Sequence, residues 1–410
     1  MYGYIFNTII LIMDENKKIF GVRKNIFFLG LVSFFNDFSA EIVQSVMPAF
    51  LTVTLGAPAF FVGFIEGAAD ALASTLKPIS GWFSDKIGKR KGMAVLGYSI
   101  SVGIRLFLTL AQNFWQVFGL RMGDRIGKGM RDAPRDALIA ESVPHEELGR
   151  SYGLHRAMDA LGATLGPLLA FFLLPFLGGS YRVLFLISFF LGLGAIGSFA
   201  LVREKSRSDE KSKPQVAPTK LKWDIFKENK KFIFIVLTIF IFGLGALPTG
   251  LILLKTREVG SIEEIPLMYF VYSLIFVLAS VPLGRLADKT GSRFVIIFGF
   301  LFATISYLGL AQASHIISIT IFFITLGIYS AATDGIQRML AAQMLEKNLL
   351  ATGQGFLNMA MGFSSLAAGV LGGVLWTKFG STSALYYAAI FSFLGLMFFI
   401  IVSKTKKESV

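Results

Sequence analysis

Stretches of about twenty mostly apolar residues alternate with short polar turns from residue 25 almost to the end of the chain. At roughly 1.5 Å of rise per residue, each stretch is long enough to cross a hydrocarbon core of about 30 Å as a helix. Six spans are predicted near 25–53, 58–82, 92–111, 115–138, 151–175 and 182–202. Six more follow near 231–254, 266–286, 293–312, 317–342, 353–376 and 383–402. Between the sets, residues 203–230 mix charges with Ser and Pro and read as a solvated linker. Its end, Leu221–Lys227, reads as a short amphipathic helix on the inner leaflet. Residues 1–24 and 403–410 are the flanking segments, and 25–202 and 231–402 the two six-helix halves.

The halves are copies of one plan. The turn Gly81–Arg90, reading GWFSDKIGKR, returns half a chain later as Gly284–Arg293, reading GRLADKTGSR. Asp132 and Asp334, Leu138 and Leu340, and Gly153 and Gly355 also correspond. The expected fold is an all-α integral membrane protein of twelve helices in two pseudo-symmetric bundles. A polar loop duplicated in this way points to a transporter with its substrate path between the halves.

Composition agrees. The 410 residues are 54% hydrophobic and 16% charged, with mean hydropathy +0.66; a soluble chain carries about a quarter charged residues. The net charge of +13 lies in loops: Lys86–Lys91, the linker and the Lys404–Lys407 tail are rich in Lys and Arg, whereas the opposite loops hold few. The positive-inside rule therefore puts both termini, the linker and both repeated turns in the cytoplasm, with the bundle in the cytoplasmic (inner) membrane. Basic residues scattered over membrane loops do not make a nucleic-acid surface, so no nucleic-acid partner is expected. There is no Cys, and His145, His155 and His315 have no metal-ligand spacing; neither metal nor bound cofactor is expected. Tyr4–Met13 is too short to span, and Met13 is expected to be the true start.

The first half carries ionisable residues at membrane depth, where each isolated charge costs several kcal/mol (about 2.5–3.5 on insertion scales) unless it meets a partner or a cavity. Asp37, Glu41 and Gln44 share a face of the first span, and Glu66 and Asp70 a face of the second. Asp124, Lys128, Arg131 and Arg135 share a face of the fourth, with Arg121, Arg125 and Asp132 beside it; His155, Arg156 and Asp159 enter on the fifth. Asp37, Glu41 and Glu66 are candidates for proton coupling, because burial disfavours the charged form of a carboxyl. Arg125, Lys128 and Arg156 are candidates for binding an anionic group. His155 is a candidate proton shuttle. The alternative is a static network of ion pairs. The second half is poorer in charge, and Tyr269, Tyr272, Gln337, Asn358 and Met361 are its candidate lining residues.

In the repeated turns, Gly88 and Gly291 allow a tight reversal, and Asp85 and Asp288 can pair with neighbouring basic residues such as Arg90. Gly81 leaves room for close contact with the other half, and Gly284 is its counterpart in the second turn. Gly162 and Gly166 have the spacing of a helix-packing element, with Pro167 able to bend the helix.

Together, the doubled Gly-x-x-x-Asp-Lys-x-Gly turn, Arg121 with Gly127 and Gly129, and Gly162–Pro167 resemble the major facilitator superfamily over about residues 25–402. Phe35–Glu41, Asp124–Arg131 and Ala133–Ile139 resemble a prokaryotic branch without a settled substrate. The resemblance implies secondary transport by alternating access and a gating role for Asp85 in an inner charge cluster. Through Gly162–Pro167 it also implies export in exchange for protons. The expectation is a monomer, not an enzyme, exporting a small polar or charged molecule on the proton gradient. The alternatives are a proton-coupled importer of an organic anion or metal chelate, and a non-transporting receptor or scaffold.

Overall fold

The computed structural model describes residues 18–19, 22–87, 90–204, 230–345 and 349–404. The expected Met13 start, Gly88, most of the linker and the Leu221–Lys227 helix lie outside the described residues, as do the side chains of Gly81–Ile87 and of His145.

Two short strands, β1 (Lys18–Ile19) and β2 (Val22–Arg23), pair antiparallel ahead of the first helix. The first half is α1 (Lys24–Ala49), α2 (Ala59–Ile87), α3 (Arg90–Leu108), α4 (Phe114–Glu141), α5 (Leu148–Phe176) and α6 (Tyr181–Ala200). The second is α7 (Lys230–Gly245), α8 (Thr249–Val259), α9 (Ile265–Thr290), α10 (Ser292–Gln312), α11 (Ile316–Ala342), α12 (Leu350–Phe379) and α13 (Ser381–Lys404). Helices dominate because lipid offers backbone groups no partner except within the chain. Eleven segments of the described residues are long and apolar enough to cross a membrane. The twelfth crossing, α4, carries nine charged residues, and it is shielded by packing on α2 and α3.

One span departs from expectation. The continuous helix predicted near 231–254 is interrupted after Gly245 and resumes as α8 at Thr249, because Pro248 has no N–H and disfavours a helical residue before it. Between α9 and α10 the chain reverses at Gly291, whose φ of +92° is a conformation open to glycine.

The same pairings recur in each half. α1 packs on α5 and α6, α2 on α4, and α3 on α4 and α6. Correspondingly, α7 packs on α12 and α13, α9 on α11, and α10 on α11 and α13. The halves meet along α2 and α12, along α5 and α9, and where α8 rests on α1 and α2.

Glycines set the α2–α12 seam. A Cβ on Gly67 would stand 2.8 Å from the Ser365 carbonyl, one on Gly373 2.8 Å from Phe60 Cα, and one on Gly63 would overlap the Gly369 carbonyl. This tight contact occupies the part of α2 remote from the basic loops. One large apolar core runs through both halves, and a smaller one around Ile26, Tyr98 and Phe199 belongs to the first half alone. Toward the basic loops the picture reverses. A Cβ on Gly153, Gly284 or Gly355 meets nothing within 4 Å. The halves are therefore in tight contact on one side, and open space surrounds these glycines on the basic side.

Candidate functional site

Between the halves lies a cavity of about 440 Å³, reaching from mid-depth toward the basic side. Asp70 of α2 with Arg125 and Lys128 of α4 form one wall. Tyr272 of α9, Tyr329, Asp334, Gln337 and Arg338 of α11, and Met361 of α12 form the other. Tyr272, Gln337 and Met361 thus line the cavity, and Tyr269 reaches across to the first half instead.

A chain of hydrogen bonds runs through four helices beside this cavity. Arg121 Nη2 of α4 donates to Gln44 Oε1 of α1. The same amide's Nε2 donates to Glu66 Oε1 of α2 at 2.8 Å. Glu66 Oε2 then accepts the backbone N–H of Gly250 at 2.8 Å. Gly250 belongs to the first turn of α8, where helical N–H groups lack an internal acceptor and a negative charge is favoured. Glu66 is only 6% exposed, so nearly all of its contacts are with protein. A second cross-half bond runs from Tyr269 OH to Glu41 Oε2 at 2.7 Å. Two candidate carboxylates of the first half therefore both fasten it to the second.

Asp37 points into the first half. Its carboxyl lies beside that of Asp159 on α5. Asn36 Nδ2 donates to Asp37 Oδ1 at 2.7 Å, and Arg156 Nη1 approaches Asp159 Oδ2 at 3.5 Å. The Arg156 side chain is 72% exposed and is absent from the cavity wall.

Other charges serve packing within the first half. Arg105 of α3 is 3% exposed; it donates to Ser39 Oγ and to Asn36 Oδ1 at 2.9 Å, tying α3 to α1. The Arg131 guanidinium lies 4.6 Å from the Tyr98 ring centre, against α3 and away from the cavity. Asp124 Oδ2 stands 3.7 Å from Arg121 Nη1. Arg135 bridges Asp132 at 3.9 Å and Asp136 at 2.9 Å. His155 Nε2 and Ser33 Oγ are 2.9 Å apart in the α1–α5 contact, where His155 is 2% exposed. Gly162 and Gly166 belong to that same contact: a Cβ on Gly166 would stand 2.6 Å from the Phe38 carbonyl.

In the repeated turns, Arg90 Nη1 pairs with Glu141 at 3.0 Å. Asp288 lines a surface hollow with Gly291 and Arg293. Among the described residues no three His, Asp or Glu side chains converge as a metal would require. Sequence reading missed Gly250 as a partner. Its one available signal was Pro248 inside an apolar span, which marks a helix break and hence a free N-terminus.

The family model described as Major Facilitator Superfamily matches residues 29–259 and 249–410. The chain is similar to an uncharacterized MFS-type transporter of Methanocaldococcus jannaschii, 31% identical over 95% of this chain and 97% of that protein. It is also similar to the multi-drug resistance efflux pump PmrA of Streptococcus pneumoniae, 27% identical over 73% of this chain and 76% of that pump. Among solved structures, the nucleoside transporter NupG matches with a TM-score of 0.79 at 13% identity, covering 94% of this chain and 100% of that one. A bacterial homolog of the lysosomal transporter Spinster matches at 0.77 and 16% identity, covering 93% and 96%. At such identities these two likenesses concern the fold alone.

Proposed function

This chain belongs to the major facilitator superfamily, and on that premise we propose that it exports a small polar or charged molecule in exchange for protons, its two halves rocking about the central cavity. One observation supports this reading: Glu41 and Glu66, both carboxyl groups of the first half, each accept a hydrogen bond from the second half on the sealed side.

An ionised Glu66 accepts two hydrogen bonds, one of them from a helix N-terminus, and charge-assisted bonds are about twice as strong as neutral ones. Protonation removes the charge that α8 favours and turns one acceptor oxygen into a donor. Arg121 and Arg125 on α4 and Asp70 on α2 are the charged groups that act on this carboxyl. At Glu41, with Lys128, Arg125 and Arg121 acting on it, the acceptor of the Tyr269 hydroxyl is lost in the same way. A proton arriving from the sealed side therefore loosens the seam, and its departure to the other side restores it. With the basic loops in the cytoplasm, the present arrangement is the inward-facing state. The likeness to an efflux pump supports the outward direction.

The test is flux in proteoliposomes loaded with a pH-sensitive dye. Across a panel of small organic anions, cations and neutral polar compounds, an imposed pH gradient should drive movement of a transported compound. Glu41→Gln should exchange that compound without responding to the gradient. A response equal to wild type removes Glu41 from the mechanism, and a panel with neither flux nor binding favours the receptor or scaffold reading.

A further inference from the structure

We infer that the central cavity is built for an organic anion, its carboxylate or phosphate held between Arg125 and Lys128. This rests on the transport reading and adds the substrate class.

The five basic residues of α4 divide cleanly. Arg121 meets Gln44 and Asp124, Arg131 covers the Tyr98 ring, and Arg135 meets Asp132 and Asp136. Among the described residues, Arg125 and Lys128 have no ion pair within 4 Å, and they are the two that line the cavity. Arg125 Nε is buried without a hydrogen-bond partner. Placed at i and i+3, the two cations face the same space and repel each other. At membrane depth, that arrangement is stabilised by an anion between them.

The nearby carboxylates act on these cations from a distance, and among the described residues each has its close partner elsewhere. Asp124 faces Arg121, Glu41 accepts from Tyr269, and Glu66 accepts from Gln44 and Gly250. Across the cavity, Asp334 is paired with Arg338 at 3.1 Å, and Asp70 accepts from Ser365 Oγ at 3.2 Å. The lining thus presents two cations without an ion pair within 4 Å among the described residues, an arrangement that suits an anion better than an amine.

Size and surface specify the rest of the molecule. A cavity near 440 Å³ falls in the range of sites for organic ligands and far exceeds a bare inorganic anion. Phe242, Phe276, Tyr272 and Tyr329 offer aromatic faces for an apolar or ring-bearing body.

Equilibrium binding to the purified full-length protein, read by thermal shift and calorimetry without any gradient, tests this separately from proton coupling. The probes are benzoate and citrate for carboxylates, phenyl phosphate and inorganic phosphate for phosphates, with benzamide and benzylamine as neutral and cationic twins. At least one organic anion should stabilise the protein, and benzamide and benzylamine should not; the carboxylate and phosphate arms tell the two headgroups apart. Arg125→Gln and Lys128→Gln should each weaken that anion by at least about tenfold. Inorganic phosphate should bind more weakly than the organic anion. Benzylamine binding in place of the anions, silence of every anion, or unchanged anion affinity in both variants overturns the inference. If a variant fails to fold, the wild-type contrast between benzoate and benzylamine remains decisive. Anion binding without pH-driven flux would sink the coupling reading and leave this one standing.

Discussion

Glu66 and Gly250 are 184 residues apart in sequence, and the Glu66 carboxylate accepts the Gly250 backbone N–H at 2.8 Å. A side chain of the first half thus serves as the N-terminal acceptor of a helix in the second. The helix end exists because Pro248 interrupts the seventh span, so a break in one bundle becomes the attachment point of the other.

Glu66→Gln should loosen this attachment. The amide keeps one acceptor oxygen and turns an N–H group toward Gln44 or Gly250, so one of two hydrogen bonds is lost, on the order of 1–3 kcal/mol. The chain has no Cys, so a single cysteine at buried Leu254, one helical turn beyond Gly250, reports opening without background. Maleimide labelling from the sealed side should rise severalfold; equal labelling would rule out the latch.

Asp37→Asn should separate binding from coupling. An amide at this position keeps the side chain's shape and the oxygen that accepts from Asn36, and it cannot take up a proton. Substrate exchange between equal pH compartments should continue, and accumulation against a gradient should fall at least about tenfold. Accumulation at the wild-type level would remove Asp37 from the coupling step.

Arg105→Leu should cost stability without a coupling defect. Its guanidinium is buried and holds both Ser39 and Asn36, so its loss strips three charge-assisted bonds, at least about 3 kcal/mol in all. Arg105→Lys should recover only part, because one ammonium lacks the planar fork. Thermal unfolding in detergent measures this, and a melting temperature equal to wild type in Arg105→Leu would refute the clamp.

Gly284→Ala should spare stability and slow transport. A Cβ there meets nothing within 4 Å in the present state, and Ala favours a helix over Gly by up to about 1 kcal/mol. The added methyl obstructs the approach of the halves on the basic side, which alternating access requires. Melting should be unchanged or higher with turnover reduced; undiminished turnover would mean the halves do not close at this position.

Much of this protein is set by local chemistry. Apolar runs of membrane length, basic loops on one side and a repeated Asp-Lys turn are sequence properties, and they determine the two-bundle membrane architecture because lipid allows an unpartnered backbone nothing but helices. The charges of α4 were equally visible, and helical spacing grouped them into faces. Spacing does not fix how a helix is rotated about its axis. Only the packing of α4 on α2 and α3 turned Arg131 to Tyr98 and left Arg125 and Lys128 facing the cavity. Likewise, sequence marked Glu41 and Glu66 as buried carboxylates, and Pro248 as a break. That these meet across two bundles was decided by the tertiary fold, because a partner 184 or 228 residues away leaves no periodicity along the chain.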